Sequence, residues 1–430
     1  MKKILTVALA GAMAAGTALA FTGCTDDGYS REGRLAVWVG EQFEEMFQTI
    51  AEDYEAETGM PVVVKTYTGL TASDKLAMDG PAGRGGDVYM QGGGGDLASA
   101  VEQGLFIEID PDEVEYTTKY IESGQELMKY NGKVYGVPLG TEVEVLYYNR
   151  DIVSDDIVSS WTSWEDMMAW AKTYNHFGQG ISTRDEQFGL LIDYSNPYYT
   201  WCINEAFGGY IFGTDEDGNY DPYDLGIDNA GSQAAYAFIK SMIDDDVIAP
   251  DLNNSVAMSK FMNGKAAIVL DGSWNLSNYR NAGIDVGVLK LPDINAAKEA
   301  GGTGTPRVFS GGYGLAVSAY SVNKEESVDF LKFATRDEYV IEYYRISGRI
   351  PSTVGASQNE EVLADDCIAG FYEQAEDSFI QPPINELNAV WDPLTSAAVA
   401  IFTNGQDIAT VLSSVKQSIL DNYEIFSPGN

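Results

Sequence analysis

YNGKVYGVPLGTEVEVLYYNR, residues 130–150, is the stretch that constrains the fold most strongly. Its Asn131-Gly132 pair predicts a tight turn, because both residue types tolerate a positive φ. Residues 133–137 and 143–148 are rich in β-branched and aromatic side chains, so they predict two short strands.

The two predicted strands are separated by Pro138 and Gly140, which both interrupt regular structure. A break between strands is a place where a chain can cross from one lobe of a protein to another. One acid, Glu142, lies at this break, and its carboxylate would then face the space between the lobes. A solvated glutamate at the start of a strand is the plainer alternative.

The composition describes a large and strongly acidic protein. A chain of 430 residues with 45% hydrophobic content can bury the cores of two or three domains. Lys and Arg number 26 against 65 Asp and Glu, which gives a net charge of −39. Nucleic acids and anionic lipid surfaces would repel such a chain, so the composition excludes a nucleic-acid partner and favours a neutral ligand.

The N-terminus has the pattern of an export signal over residues 1–24, with two lysines before a short apolar run at residues 4–20. Residues 21–24, FTGC, resemble a bacterial lipobox, whose cysteine is lipidated, so Cys24 is the predicted lipidation site. A plain signal peptide and an uncleaved anchor are the alternatives. All three place the rest of the chain outside the cytoplasm. Polar residues 25–33 then predict a flexible tether.

The sequence after the tether predicts a β-α-β unit. Residues 35–39 and 61–67 have the character of strands, and residues 43–58 between them carry apolar side chains at helical spacing. This order favours a parallel sheet in an α/β lobe. Glu41 and Gln42 lie in the first strand-to-helix turn, and ligands of open α/β sheets bind at the carboxyl ends of strands.

No cofactor or metal site is predicted. His176 is the single histidine, which leaves a metal centre or a catalytic triad almost without support. The acidic run at residues 215–221 lacks the glycine that a calcium-binding EF-hand loop needs, and Asp217-Gly218 instead predicts a hairpin turn. The glycines that precede Asp96 lack the spacing and the lysine of a phosphate-binding loop. Cys202 and Cys367 could form a disulfide or remain two buried thiols.

Five segments resemble the maltose/maltodextrin-binding proteins of ABC importers, in order and with nearly the family's spacing. The first is residues 130–151, with the family's pattern of YNGK, a lone glutamate and a strand that ends in Tyr-Asn-Arg-Asp. The others are NPYYTW at residues 196–201, GGY at 208–210, LGIDNAG at 225–231 and MNGKAAIVLDGSWNLSN at 262–278. The resemblance covers essentially everything after the tether.

The resemblance implies a two-lobe α/β architecture, the periplasmic-binding-protein type II fold with interlobe crossovers. We expect an N-lobe of residues 34–140 plus 314–362 and a C-lobe of residues 143–310 plus 363–430. Residues 309–313, FSGGY, would form the second crossover, and their glycines suit a place where backbone torsions change.

The resemblance also implies a set of sugar-binding residues. A pyranose has an apolar face and a ring of hydroxyl groups, so its site needs aromatic platforms together with amide and carboxylate groups. Tyr198, Trp274 and Trp391 match the platforms, with core packing as the alternative for each. The complete predicted set is Glu41, Gln42, Asp96, Glu142, Asn196, Tyr198, Trp274 and Trp391.

Several positions depart from the family pattern. Gln42 stands where the family commonly has lysine, and Asn196 stands where many members have glutamate. Leu276 and Thr395 replace a second tryptophan and an arginine of some members, and residues 92–96 lack the usual tryptophan. These departures affect the identity and length of the implied ligand.

The implied function is capture of maltose or longer α-glucan oligosaccharides for delivery to an ABC permease. We expect a monomer without cofactor or catalysis, held by a lipid at the extracytoplasmic face of the bacterial cell membrane. The first alternative is another neutral oligosaccharide, such as trehalose, a sucrose-type sugar or a xylan fragment. A secreted glycoside hydrolase, which would need a catalytic carboxylate pair, is a more distant one.

Overall fold

The computed structural model describes residues 28–67, 72–216, 218–250 and 252–426. The predicted signal, residues 1–24 with the lipidation site Cys24, lies outside these residues. The described part is an α/β protein whose largest sheet contains parallel and antiparallel strands. Among the described residues, no helix is both long enough and apolar enough to cross a bilayer.

The strands are β1 Leu35–Gly40, β2 Val62–Tyr67, β3 Val88–Gly92, β4 Lys129–Tyr130, β5 Lys133–Val134, β6 Val137–Asn149, β7 Phe188–Leu191, β8 Phe212–Thr214, β9 Tyr220–Leu225, β10 Ala266–Gly272, β11 Val286–Leu289, β12 Val308–Val317, β13 Ile350–Pro351 and β14 Ser378–Ile380. The helices are α1 Glu44–Thr58, α2 Ala72–Asp79, α3 Gly95–Glu102, α4 Tyr116–Lys119, α5 Glu122–Leu127, α6 Asp155–Val158, α7 Trp164–Tyr174, α8 Pro197–Ala206, α9 Ala230–Asp244, α10 Asn254–Met262, α11 Leu276–Asn281, α12 Asn295–Glu299, α13 Lys324–Ala334, α14 Asp337–Ser347, α15 Val354–Ser357, α16 Glu360–Leu363, α17 Asp366–Ala375, α18 Trp391–Ala398 and α19 Ile408–Phe426.

The predicted β-α-β unit is present as β1, α1 and β2. The two strands pair in parallel, and β1 also pairs in parallel with β3. A short 3-10 turn, Glu41–Phe43, precedes α1, which buries one stripe of apolar side chains including Phe47 and Ile50. Gly59 ends α1 with a φ of 78°, a left-handed conformation that glycine adopts without a steric cost.

Strand β6 runs unbroken from Val137 to Asn149, so the prediction of two strands separated at Pro138 and Gly140 was wrong. The register between β6 and β12 shifts beside Pro138, and such an irregularity accommodates a residue that lacks an N–H group. The first half of β6 pairs with β12 and β13, while the second half pairs with β10 and β11. The strand therefore passes through both halves of the molecule, and Glu142 lies at its middle.

The chain crosses between the two halves of the molecule three times, and we call each crossing a passage. Strand β6 is the first passage, and the other two lie beside it. Strand β12 pairs with β14 at Val308–Ser310 and with β3 from Tyr313 onward. Gly312 in this strand has a φ of 143°, and a Cβ atom there would lie 2.2 Å from the carbonyl oxygen of Gly140. The third passage is residues 348–365, between α14 and α17, and it contains β13.

Buried apolar side chains form separate cores on the two sides of these passages. One core is drawn from residues 35–139 and 315–343. A second is drawn from residues 143–308 and 344–371, and a third, within residues 201–423, adjoins it. We refer to the side with the first core as the first lobe and to the other as the second lobe. This arrangement confirms the predicted two-lobe α/β fold with crossovers.

Residues 28–33 were predicted as part of a flexible tether, but they are docked on the first lobe. The carbonyl oxygen of Gly28 accepts a hydrogen bond of 3.0 Å from the indole of Trp38. The Ser30 hydroxyl donates to the carboxylate of Asp87 at 2.5 Å. Asp87 is fully buried, so it requires such donors, and this requirement was not visible in the sequence.

Two predicted turns are confirmed. Asn131 and Gly132 have φ values of 48° and 74° and join β4 to β5 as a hairpin. Strands β8 and β9 pair antiparallel, and between them the N–H of Asp215 donates to the carbonyl oxygen of Asn219, as the predicted hairpin requires. Asp217 itself lies outside the described residues.

Candidate functional site

The three passages meet at the floor of a cleft between the lobes, and a cavity of 370 Å³ opens there on the side of the first lobe. Glu41 and Gln42 lie on its wall with exposed side chains, because the turn after β1 delivers them to the carboxyl end of that strand. The complete lining is Gly40, Glu41, Gln42, Phe43, Tyr67, Met90, Tyr313 and Arg349.

The three predicted aromatic platforms come together on the side of the second lobe. Tyr198 is the centre, with its ring centroid 6.3 Å from that of Trp274 and 6.2 Å from that of Trp391. Phe309, which sequence reasoning did not assign to the site, lies 5.3 Å from Tyr198 and 5.7 Å from Trp391. We call these four side chains the aromatic cluster. Trp274 and Trp391 are half-buried, so part of each indole remains open for a ligand.

Local structure fixes where these rings lie. Asn196 is the N-cap of α8, and its side-chain oxygen accepts a hydrogen bond of 3.1 Å from the backbone N–H of Tyr198. Trp274 follows β10 in a 3-10 turn, and its ring lies over Gly272, where a Cβ atom would approach within 2.2 Å. Trp391 is the first residue of α18. Asn196 thus positions Tyr198 through its backbone.

Glu142 lies between the cavity and the aromatic cluster. Its Oε2 accepts a hydrogen bond from Nε of Arg349, which comes from the third passage. The guanidinium of Arg349 lies over the ring of Tyr313, 5.3 Å from its centroid. Burial, then the charge of Glu144 and then that of Glu142 raise the pKa of Tyr198, so Glu142 lies close to the cluster.

Asp96 occupies the second position of α3, at the edge of the cleft. Part of its side chain is exposed to solvent. The surrounding protein nevertheless removes water from the carboxylate and so raises its pKa, and the charge of Asp74 raises the pKa further. Burial, Glu142 and Asp96 together raise the pKa of Tyr313 to about 12, with Arg349 opposing them. Asp96 is therefore near the cavity wall.

Two buried acids lie behind the aromatic cluster, and sequence reasoning missed both. Glu144 is fully buried on β6, and neither carboxyl oxygen has a hydrogen-bond partner among the described residues. Burial, and secondarily the charge of Asp271, raises the pKa of Glu144 well above its ordinary value. Asp271 is also buried, but it accepts hydrogen bonds from Tyr279, from Asn275 at 2.8 Å and from other groups.

The lobes also touch across one side of the cleft, where the start of α3 contacts residues 380–387 of the second lobe. A Cβ atom on Gly95 would lie 3.4 Å from the Leu387 side chain. The Asn385 amide donates a hydrogen bond to Glu102 of the first lobe. This contact links the two lobes beside the cleft.

A larger depression of 440 Å³ lies elsewhere on the first lobe. It is lined by charged side chains such as Glu115, Lys119 and Arg336 and by no aromatic ring. It offers no stacking surface for a sugar, so the cleft is the stronger candidate site.

One group of described residues, Asp365, Asp366 and Cys367, has donor atoms close enough together to hold a metal. However, both carboxylates are engaged: Asp365 pairs with Arg280 at 2.6 Å, and Asp366 pairs with Arg150. Cys367 and Cys202 are free, buried thiols, which decides between the two alternatives that the sequence left open.

The residues that sequence reasoning missed have different origins. Arg349 follows a glycine and lies outside the five segments that carry the family resemblance, so no motif marked it. Tyr313 and Phe309 were included in the predicted second crossover only as backbone. These two large aromatic residues flank the glycines of FSGGY, and their place at a predicted crossover was the available signal.

Comparisons with known proteins identify the family and the fold. A family model described as bacterial extracellular solute-binding protein matches residues 49–369. A galactooligosaccharide-binding protein of Bacillus subtilis (strain 168) is 27% identical over 90% of this chain and 89% of its own. A maltooligosaccharide ABC transporter solute-binding lipoprotein of Streptococcus pneumoniae (strain ATCC BAA-255 / R6) is 27% identical over 93% and 92% of the two chains.

The fold is also found among solved structures. The crystal structure of a cyclo/maltodextrin-binding protein complexed with maltotetraose aligns with a TM-score of 0.80 at 24% sequence identity. The alignment covers 92% of this chain and 98% of that one. At this identity the likeness establishes the two-lobe fold.

Proposed function

The chain belongs to the bacterial extracellular solute-binding protein family, and from this premise we propose that it captures α-glucan oligosaccharides, maltose or longer, for an ABC importer. Members of this family bind substrates and are not enzymes. The proposed ligand binds in the cleft between the lobes, and the lobes release it unchanged to the permease.

The observation that carries the proposal is the convergence of Tyr198, Trp274 and Trp391 in one aromatic cluster beside the cavity. Aromatic faces bind the apolar faces of pyranose rings, and polar groups at the edge bind their hydroxyls. Glu41 and Glu142 supply acceptors at that edge. The two half-buried indoles lie in the second lobe, so a sugar docks there first and the first lobe closes over it.

The chemistry of the site also suits an uncharged ligand. Glu142 is paired with Arg349, whereas Glu41 and Asp96 form no ion pair with any residue that the structure describes. Together with the net charge of −39, these acids disfavour an anionic sugar.

A galacto-oligosaccharide is the second candidate, because one of the similar proteins is a galactooligosaccharide-binding protein. Both ligand classes are neutral and both have pyranose rings, so the same platforms serve either. They differ in the orientation of hydroxyl groups and in the linkage between rings, which polar side chains distinguish.

We also propose that Cys24 is lipidated and anchors the mature chain at the extracytoplasmic face of the cell membrane. The lipobox-like residues 21–24 support this, as does the relative that is named a lipoprotein. The mature protein works as a monomer that delivers the sugar to the permease subunits.

A thermal-shift panel tests the ligand class. It contains maltose, maltotriose, longer maltodextrins, a cyclodextrin, galactobiose, galactotriose, cellobiose, xylobiose, sucrose and trehalose. A ligand that binds only the folded state raises the melting temperature, and a concentration of 100 times Kd adds about 2.7 kcal/mol. We expect the largest shifts from maltotriose or longer maltodextrins. Larger shifts from galactotriose would establish the second candidate, and no shift from any sugar would refute both.

A further inference from the structure

We infer that Arg349 and Glu142 together form the polar recognition pair at the floor of the cleft, and that this pair binds two neighbouring hydroxyl groups of the captured sugar. This inference rests on the proposed function, since it assumes that the ligand is a sugar. Arg349 would be a specificity-determining residue.

The first observation concerns the donors of Arg349. Its side chain lines the cavity although the residue is only 8% exposed. A guanidinium has five N–H donors. Nε donates to Glu142, and the buried hydroxyl of Tyr343 lies beside the guanidinium without a hydrogen bond of normal geometry. Within the part of the chain that the structure describes, neither Nη atom makes a hydrogen bond of normal geometry to protein. A nearly buried cation with free donors at a cavity wall is costly to maintain, so these donors point to a ligand.

The second observation concerns the acceptor beside them. The carboxylate of Glu142 uses Oε2 for Arg349, and Oε1 accepts no hydrogen bond from any described residue. Gly311, the residue opposite it on β12, leaves this oxygen uncovered, because a Cβ atom there would lie 3.4 Å from Oε1. The pair thus presents two unused donor nitrogens and one unused acceptor.

Neighbouring sugar hydroxyls match this pattern. Each hydroxyl is both a donor and an acceptor, so one can donate to a carboxylate while its neighbour accepts from a guanidinium. Since Arg349 and Glu142 neutralise each other, the pair has no net charge to favour an anion. The ring of Tyr313 under the guanidinium holds its plane in place, which reduces the entropy lost on binding.

A purely structural role is the main alternative. Glu142, Tyr313 and Arg349 come from the first, second and third passages, so their contacts also tie the three passages together. Such a tie would affect every ligand equally, because it acts on the cleft as a whole. Direct recognition instead affects one or two hydroxyl groups of the ligand and leaves the others alone.

A cycle of protein variants and deoxy sugars separates these roles. Calorimetry would compare the wild type, Arg349→Gln and Arg349→Lys, each with maltotriose and with its monodeoxy derivatives. Arg345→Gln is the matched control, because Arg345 is an exposed arginine of α14 that pairs with Glu361 away from the cleft. Gly311→Ala is a second variant that leaves the ion pair intact but narrows the access to Oε1.

We expect Arg349→Gln to weaken maltotriose binding about tenfold to a hundredfold, the range for hydrogen bonds to a charged group. In the wild type, removal of the contacted hydroxyl should cost a similar factor, and in Arg349→Gln the same removal should cost almost nothing. Arg349→Lys should lie between the two, Gly311→Ala should lose several-fold, and Arg345→Gln should match the wild type.

The inference is overturned if every deoxy derivative loses the same factor in the wild type and in Arg349→Gln, or if Arg349→Gln and Arg349→Lys fold and bind as the wild type does. If maltotriose does not bind the wild type but another panel sugar does, the proposed ligand is wrong, and the same cycle with that sugar's deoxy derivatives still decides the role of Arg349. If no sugar binds, the proposed function and this inference fail together.

Discussion

Replacing Trp391 with alanine removes one platform of the aromatic cluster and should therefore weaken sugar binding. The indole contacts Tyr198 and Phe309, with centroid separations of 6.2 Å and 5.7 Å, and its half-buried position leaves ring surface open to the cleft. Truncation of such an aromatic anchor at the centre of a site costs about 2 kcal/mol or more, which is roughly thirtyfold in affinity.

The same substitution has a separate cost in stability. Each ring pair contributes about 0.5–1.5 kcal/mol beyond the area that it buries, so the loss of two pairs predicts a destabilisation of about 1–3 kcal/mol. Circular dichroism and the melting temperature must therefore show that Trp391→Ala is folded at the temperature of the binding assay. Trp391→Phe keeps a smaller platform and should bind with intermediate affinity.

Titration calorimetry with the best sugar of the panel is the assay. Trp170→Ala is the matched control, because Trp170 is a half-buried tryptophan of the second lobe whose ring contacts are Trp161 and Tyr174. The control should keep the affinity of the wild type. If Trp391→Ala folds and binds as tightly as the control, Trp391 is not a platform, and the assignment of the aromatic cluster as a binding surface fails.

Three further predictions concern other parts of the molecule. Cys24→Ala should release the protein into the culture medium and abolish lipid labelling, whereas membrane retention without label would indicate an uncleaved anchor. The affinity for the sugar should change little between low and moderate ionic strength, because screening acts on net charges, and a steep loss would indicate a charged ligand. Burial and then the charge of Asp271 raise the pKa of Glu144 well above its ordinary 4.5, so the folded state favours the protonated carboxyl. The stability that the protonated carboxyl contributes is therefore lost as the pH rises above 4.5. In urea unfolding, the free energy of unfolding of Glu144→Gln should therefore rise relative to that of the wild type above that pH, by up to about 1.4 kcal/mol per pH unit. A difference that is equal at all pH values, or the same trend in the exposed control Glu45→Gln, would contradict this.

Local periodicity predicted the first lobe well. The stripe of α1 and the β-branched strands on each side of it are short-range patterns, and Gly59 marks the end of the helix in the sequence itself. The bounds of these elements were therefore close to those of the structure.

Long-range pairing limited the other predictions. Pro138 and Gly140 predicted a break in the strand, because the sequence does not show that the register with β12 shifts beside them and lets the strand continue. The polar composition of residues 28–33 predicted a tether, because the sequence does not show that the Ser30 hydroxyl binds the buried carboxylate of Asp87, far along the chain. In both cases the partner that determines the local structure is distant in sequence.

Some residues of the candidate site could be found from the sequence, and others depend on contacts between distant segments. The resemblance to the family supplied Tyr198, Trp274 and Trp391, and the structure brings these three together. Arg349 could not be found, because its importance depends on the meeting of the three passages at Glu142, which no local pattern encodes.

A crystal structure of the mature chain grown with maltotriose would show whether the cleft between the lobes binds an α-glucan. We expect sugar rings against the half-buried faces of Trp274 and Trp391, with two neighbouring hydroxyls on the nitrogens of Arg349 and on Oε1 of Glu142. Sugar density confined to another surface, such as the charged depression near Lys119, with the cleft left open to solvent, would contradict it.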